Sequence, residues 1–537
     1  MTTRRSLSFR CPTLATVAGV LSALGVVVGT AAPARAAITL AADAATAFDS
    51  KVFLMGLNQP TDLAVLPDGR VIIIQKAGDL VTVPAAGGDP IEDHIDVSTN
   101  SEQGLLGIVP DPNFATNQYI YVYADNPDSQ PNRHQILRYK FTPESKLGTK
   151  TVVLDMGLEG PANHDGGGID IYQGNLYMGV GDTGANSSPP TNRYGTCLNK
   201  GNGKVLRISL ADATLGQPPA DNPLVDVAMV TGCDNTGGAF KMTAPDKRIF
   251  AWGFRNPFRL WVDKTNGKVW VGDVGESTRE EIDVVQKGMH HGYPFREGGK
   301  DWAQNFAPPG ECMGVMPATE CVAPVFDYDR SGKDSSVIGG RILDGCDWPA
   351  AWKSRYLFGD YNQNKLWTLD VNATRDGVVA NSQKDFATSD KLTAMRMGTD
   401  NALYILEEGG NVTRITAKAG MSTANSCPSV NAEPGGMPGG SGAGGMAAGG
   451  SASGGGGQPS TGGAASTAGS PATTAGAPSA AGATSATAGA KANADSGDSG
   501  GCGCHVVGSP ATSTLGLGAL LAGLGMSLRR RRGRKSP

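Results

Sequence analysis

The stretch Leu63-Ala64-Val65-Leu66-Pro67-Asp68-Gly69-Arg70-Val71-Ile72-Ile73 decides the fold. Two apolar, largely β-branched runs flank a Pro-Asp-Gly turn. Proline presets φ, aspartate bonds nearby backbone, and glycine tolerates the left-handed conformation, so the chain reverses and pairs with itself. The pattern returns at Gly107 to Tyr123 around Pro110-Asp111-Pro112, at Ile169 to Tyr177 around Gln173-Gly174-Asn175, and at Leu260 to Trp270 around Asp263 to Gly267. Weaker copies sit at Tyr356 to Leu369 and Ala394 to Leu406. The spacing is roughly 60 residues per copy, room for four strands of ordinary length with their turns. A repeat that is itself a small sheet must pack on its neighbours to bury both faces. The expectation is an all-β, six-bladed β-propeller over residues 37–420. A β-sandwich pair or a β-helix competes, but a β-helix asks for a shorter, stricter period.

Outside the repeats, composition changes. The chain has 537 residues, 76 of them Gly. Residues 1–36 carry Arg4, Arg5 and Arg10 before an apolar run from Leu14 to Val28, then Ala34-Arg35-Ala36. That is the layout of a secretory signal peptide, with a retained anchor as the alternative. Residues 421–501 become almost wholly Gly, Ala, Ser, Thr and Pro, a composition that cannot recover ordering entropy by burial, so a disordered linker is expected. Residues 502–537 hold Cys502 and Cys504, an apolar stretch from Val506 to Leu528 expected to be a hydrophobic helix, and a terminal Arg cluster, Arg529 to Arg532 with Arg534. An apolar segment closed by arginines is a stop signal for membrane passage. The expected location is exported, on the cell surface or outer envelope, with release as a variant.

Charge excludes one class of partner. The chain has 46 basic and 50 acidic side chains, but ten of the basic ones lie in the two ends. The remaining body carries 36 basic against 50 acidic groups, a field that repels phosphate backbones, so no nucleic-acid partner is expected. Six cysteines fall in or just after the body: Cys197, Cys233, Cys312, Cys321, Cys346 and Cys427. An even number in an exported chain points to disulfides, with Cys312–Cys321 and Cys197–Cys233 as reasonable pairs. No CxxC spacing occurs, which argues against a zinc site built on cysteine.

Four clusters at strand ends carry candidate chemistry. Asn163-His164-Asp165-Gly166-Gly167-Gly168 is followed, one hairpin later, by Asp182. Out along one strand and back along the next, His164 and Asp182 reach the same end of one blade, where a carboxylate can fix the tautomer of an imidazole base. The three glycines permit close approach of backbone or ligand; a purely structural His–Asp pair is the alternative. Trp252-Gly253-Phe254-Arg255-Asn256-Pro257-Phe258 places Arg255 before a strand, ready to hold carboxylates or a developing oxyanion, or else to stack on Trp252 or Phe258. Gly272 to Ile282 is an acidic loop whose carbonyls and carboxylates suit Ca²⁺ without the EF-hand spacing, or simply a solvated loop. Glu102 precedes the buried-looking run Gly104 to Gly107.

These clusters, with Pro60 to Ala64 and Gly292-Tyr293-Pro294, resemble in order the soluble glucose/sorbosone dehydrogenases, the PQQ-dependent aldose sugar dehydrogenases; the ending resembles a MYXO-CTERM sorting tail. The first resemblance implies a six-bladed propeller with PQQ and Ca²⁺ at the channel mouth. It implies His164 as the base for the sugar C1 hydroxyl while hydride moves to PQQ, Asp182 as its orienting partner, and Arg255 beside the quinone oxygen. Asn256 and Glu102 fall at cofactor-site positions, and the carbonyls of Gly275 and Glu276 at Ca²⁺-ligand positions. Electrons pass on to an external acceptor. Further basic residues expected in the last two blades are thinned: Asp344 stands where one is anticipated, with Arg341 nearby, and near Leu392 and Ala394 only Arg396 is close. The sorting-tail resemblance implies attachment to membrane or cell surface. Two functions follow: an exported quinoprotein oxidising aldose sugars, or a non-catalytic surface propeller binding glycan or protein. A propeller lactonase or esterase is disfavoured, because no G-x-S-x-G nucleophile elbow accompanies His164.

Overall fold

The computed structural model describes residues 38–127, 133–158, 162–184, 191–233, 240–301 and 321–421. The expected signal peptide, nearly all of the linker, and the tail lie outside the described residues. Within them the chain forms six antiparallel sheets of four or five strands, each pairing in sequence order from its first strand outward, plus two small two-stranded ribbons. Blade one is Pro60–Val65, Val71–Gln75, Asp79–Val83 and Ile91–His94. Blade two is Leu105–Pro110, Tyr119–Asp125, Arg133–Phe141 and Leu147–Gly157. Blade three is Ile169–Tyr172, Asn175–Val180, Lys204–Ser209 and Ile249–Trp252. Blade four is Pro257–Val262, Val269–Asp273, Arg279–Val285 and Phe326–Asp329. Blade five is Val337–Ile342, Arg355–Asp360, Lys365–Asp370 and Lys384–Thr388, edged by Thr39–Leu40. Blade six is Leu392–Met397, Leu403–Glu407 and Asn411–Ala417, completed by Phe48–Leu54 from the other end of the domain.

This closure joins the first and last blades through main-chain hydrogen bonds, in the register Phe48↔Ala417 to Leu54↔Val412. The first strands of successive blades touch all the way round, the sixth returning to the first, so they form the wall of a closed hub. The opening hairpin behaves as its sequence predicts. Gly69 takes φ 88°, its N–H donates to Leu66 O (2.9 Å), and Asp68 Oδ1 accepts the Arg70 N–H (3.1 Å). Each sequence repeat falls in a different blade. The fifth covers second and third strands instead of first and second, because the blade's first strand is interrupted by Gly339-Gly340 and loses its apolar alternation.

The core is a ring of layers between blades. Along Val71-Ile72-Ile73-Ile74, Val71 and Ile73 pack with Ala394, Tyr404 and Leu406 of blade six, while Ile72 and Ile74 pack with Ile108, Ile120 and Val122 of blade two. A strand with a neighbour on each face buries every side chain, so it reads as a continuous apolar run. Trp270 stacks on Tyr356 between blades four and five (4.6 Å), and Phe48 meets Trp348 between the closing strand and blade five (4.6 Å). The Cys197–Cys233 disulfide forms as expected, and Cys321 and Cys346 are also disulfide-bonded. Cys312 and Cys427 lie outside the described residues.

Candidate active site at the mouth of the hub

Strand alternation gathers the site. In a blade whose strands run in and out by turns, the loop entering the first strand and the loop between second and third strands lie at one end. Glu102, His164 and Arg255 occupy entry loops of blades two, three and four; Asp182 and Gly275–Glu276 occupy second-to-third loops of blades three and four. Positions far apart in sequence therefore meet.

His164 sits at φ 53°, a conformation sparsely populated by residues other than glycine. It is held from both sides: its N–H donates to Glu102 Oε2 (2.8 Å), and its carbonyl packs where a Cβ on Gly181 would lie 1.8 Å away. Such over-determined backbone is typical of functional loops. Gly166 and Gly167 also adopt positive φ and press on the Gly179 carbonyl and on the Leu106 side chain respectively, so neighbouring protein atoms use the room those glycines leave.

His164 Nδ1 lies 2.6 Å from Asp182 Oδ1, which also accepts the Gly184 N–H (2.8 Å). With Nδ1–H directed at the carboxylate, a neutral ring keeps its lone pair on Nε2, the state a base needs. Burial pushes the Asp182 carboxyl up, but the facing His164 and the bonds it receives outweigh this and hold it below the ordinary value. The Asp182 N–H donates to Arg255 O (2.7 Å), linking base partner and arginine directly.

Arg255 is buried, and Asp273 braces its loop: Oδ2 accepts the Arg255 N–H (2.9 Å) and Oδ1 the Asn256 N–H (2.7 Å). Its Nη1 donates to Val274 O (3.0 Å), while Nε is buried without a hydrogen-bond partner. Desolvation works against its charge, yet Tyr293, Asp182, Glu276 and Glu280 together raise its pKa, so it stays cationic. Among the described residues no aromatic ring stacks on it; Phe258 lies under Arg259 instead (4.1 Å). Asn256 Oδ1 accepts the Gly166 N–H (3.1 Å), joining the arginine loop to the histidine loop. Glu102 Oε1 is a second buried, unpartnered atom, and burial raises the pKa of that carboxyl.

The metal and outer cofactor expectations fare differently. Arg330 Nη2 donates to Gly275 O (2.6 Å) and Nη1 to Glu276 O (2.9 Å), while Nε pairs with Glu280 Oε1 (2.8 Å). The carbonyls expected to ligate Ca²⁺ already hold a guanidinium, and a dication there would sit against that charge, so these residues do not fit the ion. Oxygen donors suited to a hard cation lie close by: Asp273, Glu281 and Asp283 are buried with one carboxylate oxygen each within 4.8 Å of the others. Arg396 lies in the first strand of blade six, and its Nη2 pairs with Asp62 Oδ2 in the first strand of blade one (2.7 Å). Arg341 lies over Trp261 (5.3 Å), and Asp344 pairs with Arg375 (2.7 Å).

Sequence reasoning passed over three contributors. Arg330 lies in Asp329-Arg330-Ser331, a polar loop that reads as solvated. Asp273 was visible as part of the acidic loop, but its bracing of Arg255 was not. Arg259 crosses the hub, donating through Nη2 to Thr61 O of blade one (2.6 Å) and through Nε to Thr393 O of blade six (3.0 Å). It lays a buried floor beneath the mouth, and only the inner-strand pattern hinted at it.

Fold and site together define a closed six-bladed propeller with an imidazole–carboxylate pair and a buried guanidinium at one end of its hub. Residues 57–415 match the model of the Glucose / Sorbosone dehydrogenase family, and the chain belongs to that family. The chain is 25% identical over 373 residues to aldose sugar dehydrogenase YliI of Escherichia coli (strain K12), covering 67% of this chain and 91% of the relative. It is 29% identical over 279 residues to quinoprotein glucose dehydrogenase B of Acinetobacter calcoaceticus, covering 47% and 54% respectively. The solved apo-form of the soluble aldose sugar dehydrogenase from Escherichia coli shares the fold with a TM-score of 0.56 at 23% identity, over 69% of this chain and 100% of that one.

Proposed function

We propose that the chain is an exported sugar oxidoreductase that uses PQQ to oxidise aldoses at C1. The carrying observation is the 2.6 Å contact between His164 Nδ1 and Asp182, with buried Arg255 bonded to the backbone of that same carboxylate residue. The names of the relatives, an aldose sugar dehydrogenase and a quinoprotein glucose dehydrogenase, support the substrate class and the cofactor. The unpartnered buried atoms Glu102 Oε1 and Arg255 Nε, beside His164, fit a polar ligand at the mouth. Arg255 and Asn256 would hold PQQ, which supplies the two-electron acceptor for the C1 hydride when bound. His164 Nε2 takes the proton of the C1 hydroxyl. Asp182 keeps that ring in the right tautomer and offsets the charge it gains. Arg255 supplies fixed positive charge, cheap to use because it is already desolvated and oriented. An external acceptor then removes the electrons. The Cys197–Cys233 disulfide supports export, and the composition of residues 421–537 supports surface attachment. No step is assigned to Ca²⁺ at Gly275 and Glu276.

Purified protein is titrated with PQQ by calorimetry and assayed for sugar-dependent dye reduction over a panel of aldoses. Saturable binding with turnover, abolished in turnover but not in binding by His164→Gln, is the expected result. Neither binding nor turnover would overturn the reading. A non-catalytic, glycan- or protein-binding propeller is then favoured, and the observation on its side is the pairing of Arg396 with Asp62, which leaves Arg255 as the principal cation for a tricarboxylate.

A further inference from the structure

The loop that the resemblance assigns to Ca²⁺ is bound instead by two arginines. Val274, Gly275 and Glu276 follow the second strand of blade four, and their three successive carbonyls all accept from guanidinium groups. Arg255 Nη1 donates to Val274 O (3.0 Å), Arg330 Nη2 to Gly275 O (2.6 Å) and Arg330 Nη1 to Glu276 O (2.9 Å). One planar fork therefore bridges the same pair of oxygens that was expected to hold the metal.

Arg330 is fixed in that place. Its side chain is 2% exposed and that of Glu280, which faces it, 0%. Its Nε donates to Glu280 Oε1 (2.8 Å), and its backbone N–H donates to Thr278 O (2.9 Å). Glu280 Oε2 accepts the Gly275 N–H (3.3 Å) and the Val337 N–H (2.9 Å). Gly275 is thus held at its N–H by the carboxylate and at its carbonyl by the guanidinium of one buried ion pair. The turn is also closed on itself, since a Cβ on Gly275 would lie 1.8 Å from Arg279 O.

A dication on the same two oxygens competes with this arrangement. Hard cations bind oxygen at about 2.3–2.6 Å, and Nη2 lies 2.6 Å from Gly275 O, so the two positive charges could stand no more than about 5 Å apart. In a buried site that repulsion is weakly screened. The guanidinium cannot relieve it by losing a proton, and swinging it away would leave Glu280 buried and unpaired.

We propose that Arg330 is the resident cation of the Gly275 and Glu276 carbonyls, and that the mouth binds PQQ without a divalent ion. Arg330 is a positioning residue. It shapes the loop whose Val274 O orients Arg255, and it leaves contact with the cofactor to Arg255 and Asn256. The cation of this loop can then be neither exchanged nor chelated. The cofactor half of the inference rests on the sugar-oxidising reading; the occupancy of the two carbonyls does not.

Full-length protein stripped with EGTA is titrated with PQQ by calorimetry, once in EGTA and once in CaCl₂. Coupling between ion and cofactor should be absent, the two dissociation constants agreeing within about twofold. In parallel, crystals soaked in SrCl₂, with and without PQQ, are measured at the strontium edge, and no anomalous peak is expected on the Gly275 and Glu276 carbonyls. PQQ binding that tightens by about tenfold or more in CaCl₂, or a strontium peak on those oxygens, would overturn the proposal. Failure of PQQ to bind in either buffer defeats the sugar-oxidising reading and the cofactor half with it, while the strontium measurement still decides the occupancy of the carbonyls. The double variant Arg330→Met with Glu280→Gln removes both charges of the pair. It should gain a strontium peak on the two carbonyls and bind PQQ more tightly in CaCl₂ than in EGTA. A folded double variant that does neither shows that the guanidinium was displacing no ion, and this too overturns the proposal.

Discussion

Asp182 shows how one carboxylate serves fold and chemistry together. Its Oδ1 receives both the imidazole and a backbone N–H, and its own N–H reaches Arg255 O. Asp182→Asn should lower kcat by about 10²–10⁴-fold with little change in KM, since general-base effects are of that size. Steady-state dye reduction checks this. The same carboxyl is held below its ordinary value of 3.8, so on acidification the unfolded chain takes up this proton first. Its contribution to stability is complete above the unfolded value and is lost as pH falls through the folded one. Urea midpoints between pH 3 and 6 should fall more steeply in the wild type than in Asp182→Asn. His164, Asp182 and Arg255 were legible because each adjoins a strand in a recognisable turn. The partner of Arg396, Asp62 of blade one, was not legible, because the two lie 334 residues apart in the chain.

At the scale of the element, the loop between the second and third strands of blade four is clamped by a buried ion pair. Arg330 spans Gly275 O, Glu276 O and Glu280. Glu280 Oε2 in turn accepts the Val337 N–H of blade five (2.9 Å). Removing one member of a buried pair leaves the other charge uncompensated, so Arg330→Met should cost about 3–5 kcal/mol in urea unfolding. The double variant Arg330→Met with Glu280→Gln should recover part of that loss. The Cys197–Cys233 disulfide fixes the Val230–Cys233 ribbon against the Tyr194–Asn199 segment and spans 36 residues. A loop of that length predicts about 4 kcal/mol lost on replacing both cysteines by serine, read as a shift in urea midpoint against the unreduced parent.

For the whole molecule, stability depends on closing a ring. Phe48–Leu54 completes blade six, and Phe48 packs on Trp348, Trp352 and Phe386. Deleting residues 38–54 should leave an unpaired edge and an open hub, so the truncated domain should lose its cooperative thermal transition and aggregate; calorimetry and light scattering test this. Arg259 serves the same closure from inside, by bonding blade four to blades one and six across the centre. The amino-acid sequence alone determined the all-β class and the number of blades, and singled out the histidine, aspartate and arginine of the mouth as candidates, because strand periodicity and turn chemistry are local and survive in any order of reading. Only the tertiary structure decided which blade the first strand completes, that a guanidinium occupies the Gly275 and Glu276 carbonyls, and that Arg396 turns to Asp62. Those outcomes depend on which charges end up facing one another in a low-dielectric interior, and that is fixed by the assembly of blades, not by any stretch of chain within them.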